Sequence, residues 1–231
     1  MRVLTWNLFH GRAVPPAHRD LQAEFAAALA GWPWDVALLQ EVPPWWTGAL
    51  ARACDADART ALTSRNAPLP GVRRWLADRY PDVLKSNGGG ANVILVRGMT
   101  IADHRQVVLR HRPERRVCHA VALADGRWCA NLHAQVHSEE GAQADIARAA
   151  AATLQWSGGG PAILGGDFNV REPRAPGFAL LGGHGVDHVL GHAAGRPAGP
   201  AQLLERSGLS DHAPVRVTVV SPPEADFPVR L

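Results

Sequence analysis

Short apolar runs, separated by polar residues or glycines, dominate this chain and predict many strands with few helices. The Asp125-Gly126 pair lies between two of these runs and is typical of a hairpin turn. The predicted strands cover residues 1–8, 35–40, 91–96, 101–109, 117–123, 127–134, 161–164 with a continuation to Asp167, 186–190 and 213–220.

Apolar residues at helical spacing are less frequent. Leu21, Phe25 and Leu29 share one face of a predicted helix, and Ser138 is placed to cap another. The predicted helices cover residues 18–30, 43–53, 72–84 and 138–156. Many strands with a few interspersed helices predict an α+β fold in which packed sheets are flanked by helices.

The size and composition are those of an ordinary globular protein. The chain has 231 residues, of which 46% are hydrophobic and 19% charged, so we expect a single domain over residues 1–231. The net charge of +3 does not by itself indicate a nucleic-acid-binding protein. We expect the proline-rich tail from Ser221 to lie on the surface.

Three cysteines, Cys54, Cys118 and Cys129, lack the paired spacing of a zinc site, so we expect buried, reduced thiols. No secretion signal precedes the first strand, and no apolar run approaches the length of a transmembrane helix. We therefore expect a cytoplasmic protein, and we expect it to be a monomer.

Polar residues that can carry out chemistry follow the predicted strand over residues 161–164. In Gly165-Gly166-Asp167-Phe168-Asn169, the Asp and Asn are two residues apart and are placed to face one pocket. The carboxylate can bind a metal or take a proton, and the amide can hold a phosphate oxygen or a water. Ser210-Asp211-His212 supplies a second Asp and an imidazole. These residues indicate a hydrolase of phosphate esters.

Five such motifs stand at or near strand ends, where an open-ended sheet assembles a site. They are Thr5-Trp6-Asn7-Leu8, Leu38-Leu39-Gln40-Glu41-Val42, Asn131-Leu132-His133-Ala134, Gly165-Gly166-Asp167-Phe168-Asn169 and Ser210-Asp211-His212-Ala213-Pro214. In this order they resemble the endonuclease/exonuclease/phosphatase superfamily, which has the deoxyribonuclease I-like fold. The resemblance implies a four-layer α/β/β/α sandwich of two packed mixed sheets flanked by helices.

The resemblance also implies a metal site. Glu41 would be the principal ligand, and Asn7 and Asp211 would complete the shell, partly through water. Oxygen ligands of this kind suit Mg²⁺ or Mn²⁺ better than zinc.

Other roles follow from the same resemblance. Asp167 would position or deprotonate the attacking water, and Asn169 would hold this water or a phosphate oxygen. His212, oriented by Asp187, would flank the phosphate together with His133. One of these histidines, or metal-bound water, would protonate the leaving group.

Two substrate-binding residues are predicted with structural alternatives beside them. Asn92 resembles an Asn that contacts the phosphate, or it is a turn residue after the glycines. Arg116 resembles a substrate-facing Arg at the end of the basic segment 105–116, which is otherwise a solvated face. Trp45 and Trp46 either stack on a base or lipid head group or pack in the core.

The substrate remains open between two classes. The leading hypothesis is a divalent-metal phosphodiesterase acting on nucleic acid, that is, an endonuclease or exonuclease. The alternative is a phosphatase or phosphodiesterase for a small or lipid-derived phosphate ester. A third hypothesis, a binding module without activity, is disfavoured because the set of motif residues is intact. Each residue alone also has a structural alternative, for example a turn cap or a packed histidine.

Overall fold

Two β-sheets pack face to face in this protein, and helices cover their outer faces. The structure, a computed structural model, describes residues 1–63, 70–80 and 90–220. The first sheet contains β1 (Arg2–Asn7), β2 (Val36–Val42), β3 (Asp57–Leu62), β4 (Ala91–Val96) and β13 (Val215–Val220), with the short strands β11 (Arg196–Pro197) and β12 (Gln202–Leu203) on β13. The second contains β5 (Ile101–Arg110), β6 (Arg116–Leu123), β7 (Trp128–His133), β8 (Ala162–Asp167), β9 (Ala179–His184) and β10 (Asp187–His192).

Both sheets are mixed. The first has the order β11-β13-β1-β2-β4-β3, and the second has the order β5-β6-β7-β8-β10-β9. The β1–β2 and β7–β8 pairs are parallel, and the other pairs are antiparallel. The helices are α1 (Gln22–Gly31), α2 (Thr47–Cys54), α3 (Pro70–Arg79) and α4 (Glu139–Ser157), with a 3₁₀ turn over Phe9–Gly11.

Each sheet packs against two hydrophobic cores, one on each of its faces. On β1, Val3 packs between the sheets, whereas Leu4 packs under α1 and α2. Successive strand residues point to opposite faces, so one strand can contribute to both layers. A third core lies between the second sheet and α4, where Ile146 is fully buried. These layers are those of a deoxyribonuclease I-like sandwich, so the predicted four-layer α+β fold is confirmed.

The glycine pair before Asp167 is required by close packing of neighbouring backbones. Gly166 has a φ of +146°, and a Cβ there would lie 1.9 Å from the carbonyl oxygen of Leu132. A Cβ on Gly165 would lie 2.7 Å from Cδ1 of Leu38 in the facing sheet. The two glycines let β8 approach both its neighbour and the other sheet at the point where Asp167 emerges.

Several helix boundaries differ from the predictions. Helix α1 begins at Gln22 rather than at residue 18, because His18 has a left-handed φ of 55° that a helix cannot include. Helix α2 begins at Thr47 rather than at residue 43, because Trp46 N–H donates to the Pro43 carbonyl and closes a separate turn first. Helix α4 agrees with its prediction, and Ser138 Oγ accepts the Gly141 N–H at 3.0 Å.

Two of the longer observed strands were not predicted from the sequence pattern. Strands β3 and β9 lie at sheet edges with mostly exposed or half-buried residues, so neither forms a continuous apolar run. Helix α3 ends at Arg79 and Tyr80 is a bend, whereas residues 81–84 of the predicted helix and the tail from Ser221 lie outside the described residues.

The cysteines are as expected. All three are buried, free thiols. Burial raises the pKa of Cys118 and of Cys129 to about 12, so neither is a thiolate at neutral pH. Within residues 1–63, 70–80 and 90–220, no helix combines the length and apolar character needed to span a membrane.

Candidate active site at the edge of the two sheets

A cleft of about 370 Å³ opens where β1 and β2 of the first sheet meet β7 and β8 of the second. The cleft is lined by the predicted site residues Asn7, Glu41, Arg116, His133, Asp167, Asn169, Asp211 and His212. It is also lined by residues that the sequence analysis did not identify, among them Phe9, His10, Arg12 and Glu114. The fold therefore brings together most of the predicted set.

Asp167 lies at the centre of this arrangement. It is the last residue of β8 and is 2% exposed. Its Oδ2 accepts a 3.0 Å hydrogen bond from Asn7 Nδ2, and its Oδ1 accepts one of 3.0 Å from the Asn169 backbone N–H. Nε2 of His133 is 3.6 Å from Oδ2, and Nε2 of His212 is 3.8 Å from it. One oriented carboxylate thus lies between two imidazoles.

His212 is held by Asp187, as predicted. Nδ1 of His212 is 2.8 Å from Oδ2 of Asp187, which is 4% exposed and lies behind the cleft. Burial alone would lower the pKa of His212, but the hydrogen bond and charge of Asp187, aided by Asp167 and Asp211, raise it to about 9. Burial raises the pKa of Asp187 to about 6 against the opposing effect of His212. At neutral pH this pair is therefore an imidazolium and a carboxylate.

His133 has the opposite electrostatic character. It is the last residue of β7 and is 6% exposed. Burial, followed by the positive charges of Arg116, His10 and His212, holds its pKa well below the ordinary value of 6.5. The cleft therefore contains one neutral and one charged imidazole on either side of Asp167, which are suited to different proton-transfer roles.

Glu41 extends into the cleft from an irregular part of β2. The register between β2 and β4 shifts between Leu39 and Val42, and Glu41 has a left-handed φ of 50°. Burial and the nearby charge of Asp167 raise its pKa to about 7. A carboxylate in such surroundings is stabilised in its charged form by a bound cation.

The donor atoms of the cleft fit a divalent cation. Glu41 and Asp211 offer carboxylate oxygens, which suit Mg²⁺ or Mn²⁺. Asn7 already uses both ends of its amide, because Oδ1 accepts the Phe9 N–H at 2.9 Å and Nδ2 binds Asp167. Asp167, Asp187 and His212 form a second group whose ligand atoms lie within 4.8 Å of one another. A role for Asn7 through water stays a prediction.

A buried amide pair lies under Glu41 and was not identified from the sequence. Gln40 Nε2 donates across the two sheets to Asn131 Oδ1 at 2.8 Å. Asn131 Nδ2 donates to the Leu39 carbonyl at 2.8 Å and to the Val93 carbonyl at 3.0 Å. Both amide side chains are fully buried. The pair therefore satisfies the backbone of β2 next to the irregularity that turns Glu41 into the cleft.

The turn after Asn7 forms one wall of the cleft. Phe9, His10 and Gly11 have left-handed φ values of 49°, 54° and 77°. A Cβ on Gly11 would lie 2.3 Å from Cη2 of Trp46, so only glycine fits against this indole. Trp46 is buried in the core under α1 and α2, and Trp45 packs against the same core. Of the two alternatives for this tryptophan pair, the structure agrees with core packing.

Arg12 and Arg116 bring positive charge to the cleft. The Arg12 guanidinium lies 3.8 Å from the centre of the Phe9 ring. Arg116 is 5% exposed, and its Nη2 is 2.9 Å from Oε2 of Glu114. Burial lowers the pKa of Arg116, whereas the acids Glu114, Glu41 and Asp167 act in the opposite direction.

The remaining predicted groups lie elsewhere. Asn92 is fully buried and donates to the Val117 carbonyl at 2.9 Å, so it does not line the cleft. In the basic segment 105–116, Arg110 is bound to the buried Asp145 at 2.8 Å and Arg105 pairs with Asp103. Arg116 is the arginine of this segment that lines the cleft.

The comparison with protein families agrees with the resemblance seen in the motifs. The model of the endonuclease/exonuclease/phosphatase family matches residues 4–212. The chain therefore belongs to this family, whose members are generally divalent-metal-dependent hydrolases of phosphoester bonds. No curated protein matches the chain in sequence.

Solved structures share the fold at low sequence identity. A functionally unknown conserved protein from Enterococcus faecalis is 16% identical, with a TM-score of 0.69 over 96% of this chain and 100% of that one. The mannosyl-6-phosphatase of Bacteroides thetaiotaomicron is 15% identical, with a TM-score of 0.69 over 95% and 99% of the two chains. TDP2 from C. elegans is 16% identical, with a TM-score of 0.67 over 95% and 75%.

Proposed function

We propose that this protein hydrolyses phosphodiester bonds with the aid of a divalent metal, with nucleic acid as the leading substrate class. The observation that carries the proposal is the position of Asp167. Its Oδ2 lies 3.6 Å from His133 Nε2 and 3.8 Å from His212 Nε2. The cleft around it is lined by both acidic and basic side chains. A phosphodiester is anionic, so hydrolysis needs an oriented base, donors for the phosphate oxygens and an acid for the leaving group.

In this proposal Asp167 accepts the proton of the attacking water. Hydrogen bonds from Asn7 Nδ2 and the Asn169 N–H fix both carboxylate oxygens, so the carboxylate does not have to reorient during the reaction. Asn169 donates its side-chain amide to the Ala134 carbonyl at 3.0 Å and thereby joins the ends of β7 and β8. Asn169 thereby holds the segment that follows Asp167 in place, and its side chain lines the cleft.

The two imidazoles receive different tasks. His212, whose pKa is raised to about 9, is a cation at neutral pH and can give its proton to the departing oxygen. Asp187 orients it through Nδ1, which leaves Nε2 directed towards Asp167. His133 is neutral because burial lowers its pKa, and its ring nitrogen binds a phosphate oxygen as a hydrogen-bond donor.

Glu41 and Asp211 would hold Mg²⁺ or Mn²⁺, with Asn7 acting through water. The bound ion supplies positive charge to the phosphate oxygens. The raised pKa of Glu41 supports this assignment, because burial and the charge of Asp167 disfavour the ionised carboxylate, which a bound cation would stabilise.

Arg116 and Arg12 are proposed to bind phosphate oxygens of the substrate. The Nε atom of Arg116 is buried without a hydrogen-bond partner among the described residues, although its side chain lines the cleft. Phe9 adds an aromatic ring at the same wall, and such rings stack on nucleobases. These features favour a nucleic-acid substrate.

A second candidate is a phosphatase or phosphodiesterase for a small or lipid-derived phosphate ester. Two observations favour it. The cleft of about 370 Å³ has the size of a small-molecule site. Arg105 and Arg110 are held by Asp103 and Asp145, so these arginines do not extend the cleft into a basic groove. The mannosyl-6-phosphatase named above has a similar fold and acts on such a substrate.

The test compares plasmid DNA, bis(p-nitrophenyl) phosphate and p-nitrophenyl phosphate with Mg²⁺, with Mn²⁺ and with EDTA. The Asp167→Asn variant should lose about 10²- to 10⁴-fold in kcat on every substrate that the protein cleaves. Asp103→Asn is the matched control, because this Asp pairs with Arg105 outside the cleft. Equal activity of Asp167→Asn and the wild type would contradict the proposal.

The salt dependence of cleavage distinguishes a nucleic-acid substrate from a small phosphate ester. If DNA is the substrate, its cleavage at low substrate concentration should weaken steeply between about 50 and 200 mM salt, because counterions are released on binding. Cleavage of a small ester should change little over this range. Hydrolysis of p-nitrophenyl phosphate without cleavage of either diester would favour the phosphatase.

A further inference from the structure

We propose that Nε2 of His10 is a metal ligand beside Glu41, and that the site consequently prefers Mn²⁺ to Mg²⁺. This inference rests on the proposed function, because it concerns the metal of the same site. His10 lies in the turn that follows Asn7, and neither the motifs nor the family resemblance assigned it a role. Nε2 of His10 is 3.2 Å from Oε2 of Glu41, and both residues line the cleft.

This separation fits two ligands of one cation. Nitrogen and carboxylate oxygen ligands bind divalent first-row metals at about 2.0–2.2 Å, so two adjacent ligands at a right angle are about 3 Å apart. The His10–Glu41 distance agrees with this value. A second imidazole near Glu41 belongs to His133, and its Nε2 is 3.9 Å from Oε1. His10 is therefore the imidazole that lies closer to the proposed ligand.

The backbone places these two side chains together through unusual conformations. His10 has a φ of 54° and Glu41 a φ of 50°, values that residues other than glycine rarely adopt. Gly11 fixes the turn, because the Trp46 indole occupies the space of its missing Cβ. Strained backbone of this kind persists where the surroundings enforce it and is concentrated at functional sites.

The identity of the donor atoms leads to the metal preference. An oxygen-only set suits Mg²⁺, which keeps near-ideal octahedral geometry and binds imidazole poorly. Imidazole nitrogen is a better ligand for transition metals, and Mn²⁺ accepts both carboxylate and nitrogen ligands. A site made of Glu41, Asp211 and His10 therefore favours Mn²⁺ more than the all-oxygen set does.

Metal binding without substrate tests this assignment. Calorimetric titration with Mn²⁺ and with Mg²⁺ is compared between the wild type and His10→Asn, because Asn also tolerates the left-handed backbone. We expect the Mn²⁺ affinity to fall by about tenfold or more. The Mg²⁺ affinity should fall much less. His18→Asn is the matched control, because His18 also has a left-handed φ, of 55°, and is exposed outside the cleft.

Pulsed electron paramagnetic resonance of bound Mn²⁺ gives a second readout. The wild type should show coupling to an imidazole nitrogen, and His10→Asn should lose that coupling. Absence of nitrogen coupling in the wild type would overturn the inference without any substitution. So would an equal loss of Mg²⁺ and Mn²⁺ affinity in His10→Asn, since this residue would then only support the position of Glu41.

The outcome is separable from the proposed activity. If the protein binds Mn²⁺ with the His10-dependent coupling but cleaves no phosphate ester, the ligand assignment stands and the proposed function fails. If the protein hydrolyses esters with unchanged metal preference in His10→Asn, the function stands and the ligand assignment fails. Thermal unfolding in EDTA establishes that the variant is folded.

Discussion

Nδ2 of Asn7 donates a 3.0 Å hydrogen bond to Oδ2 of Asp167, although the two residues belong to different sheets and are 160 positions apart. The bond joins the ends of β1 and β8 directly beneath the cleft. The same oxygen, Oδ2, is the one that lies nearest to His133 and His212. The hydrogen bond from Asn7 therefore orients the carboxylate oxygen that faces the histidines. Packing of the two sheets is thereby coupled to the orientation of the proposed base.

Removal of this donor should affect catalysis more than substrate binding. We expect Asn7→Ala to lower kcat by about 10- to 100-fold, as is typical when a group that orients a reactive side chain is lost. Asn7→Asp should be worse, because it would place a second carboxylate beside Asp167. Steady-state kinetics and thermal unfolding of both variants provide the test. A change confined to KM would contradict the orienting role.

The His212–Asp187 pair predicts the alkaline limit of activity. His212 has a pKa of about 9, so activity that needs its charged form should be retained at neutral pH and fall as the pH rises through about 9. In Asp187→Asn the charge of this carboxylate is lost, so the limit should move down from about 9 towards the ordinary value of 6.5.

The measurement for this prediction is the pH profile of kcat/KM, which reports groups of the free enzyme. Asp167 and Asp211 still face His212 in the variant, so some elevation of its pKa remains. The same linkage applies to stability. Because folding raises the pKa of His212, its contribution is complete below 6.5 and is lost as the pH rises through about 9. An alkaline limit that Asp187→Asn leaves unmoved would exclude His212 as the titrating acid.

Replacement of Glu41 should separate metal binding from folding. We expect Glu41→Gln to abolish the rise in melting temperature that Mg²⁺ or Mn²⁺ causes in the wild type, where a saturating ligand at about 100 times its Kd adds about 2.7 kcal/mol. In EDTA the variant should be at least as stable as the wild type above neutral pH. The reason is that folding raises the pKa of Glu41 to about 7, so its ionisation opposes folding as the pH rises through that value.

The control for this prediction is Glu24→Gln, because Glu24 lies on α1 and pairs with Arg19 outside the cleft. Its response to metal should equal that of the wild type. If Glu41→Gln retained the metal-dependent rise in melting temperature, the principal ligand would have to be sought in the Asp167, Asp187 and His212 group.

Most of the predicted site residues that line the cleft have local signals in the sequence. Asp167 and Asn169 follow an apolar strand within one short motif, and His212 follows Asp211. Asn92, which precedes an apolar run, lies under β6 rather than in the cleft, since its position depends on how β4 faces the second sheet. A motif indicates what a residue can do, whereas sheet packing decides which residues meet.

The residues missed in the cleft depend on backbone geometry that hydrophobic patterns do not encode. His10 and Arg12 reach the cleft through three successive left-handed residues, of which only Gly11 is a residue type that commonly adopts this conformation. Strand β3 was missed because an edge strand with little burial has no apolar run. The buried partner of Gln40 was equally hidden, because Asn131 looks like any polar residue before a predicted site histidine.

That Gln40–Asn131 pair supports a final prediction about stability. Asn131→Leu removes the buried side-chain donor to the carbonyls of Leu39 and Val93 and the acceptor of Gln40 Nε2, and each buried group left unsatisfied costs about 1–3 kcal/mol. We therefore expect a loss of about 3 kcal/mol in the free energy of unfolding. Gln40→Leu should also destabilise the protein, because Nε2 of Gln40 donates to Asn131 and to the Leu38 carbonyl.

Chemical denaturation of the two single variants and the double variant measures the coupling. The double variant should lose less than the sum of the single losses, by about 0.5–3 kcal/mol, because the bond between the amides can be lost only once. Gln106→Leu, on the exposed face of β5, should change the free energy of unfolding by less than about 0.5 kcal/mol. Strict additivity of the two core substitutions would mean that the two amides stabilise the protein independently of each other.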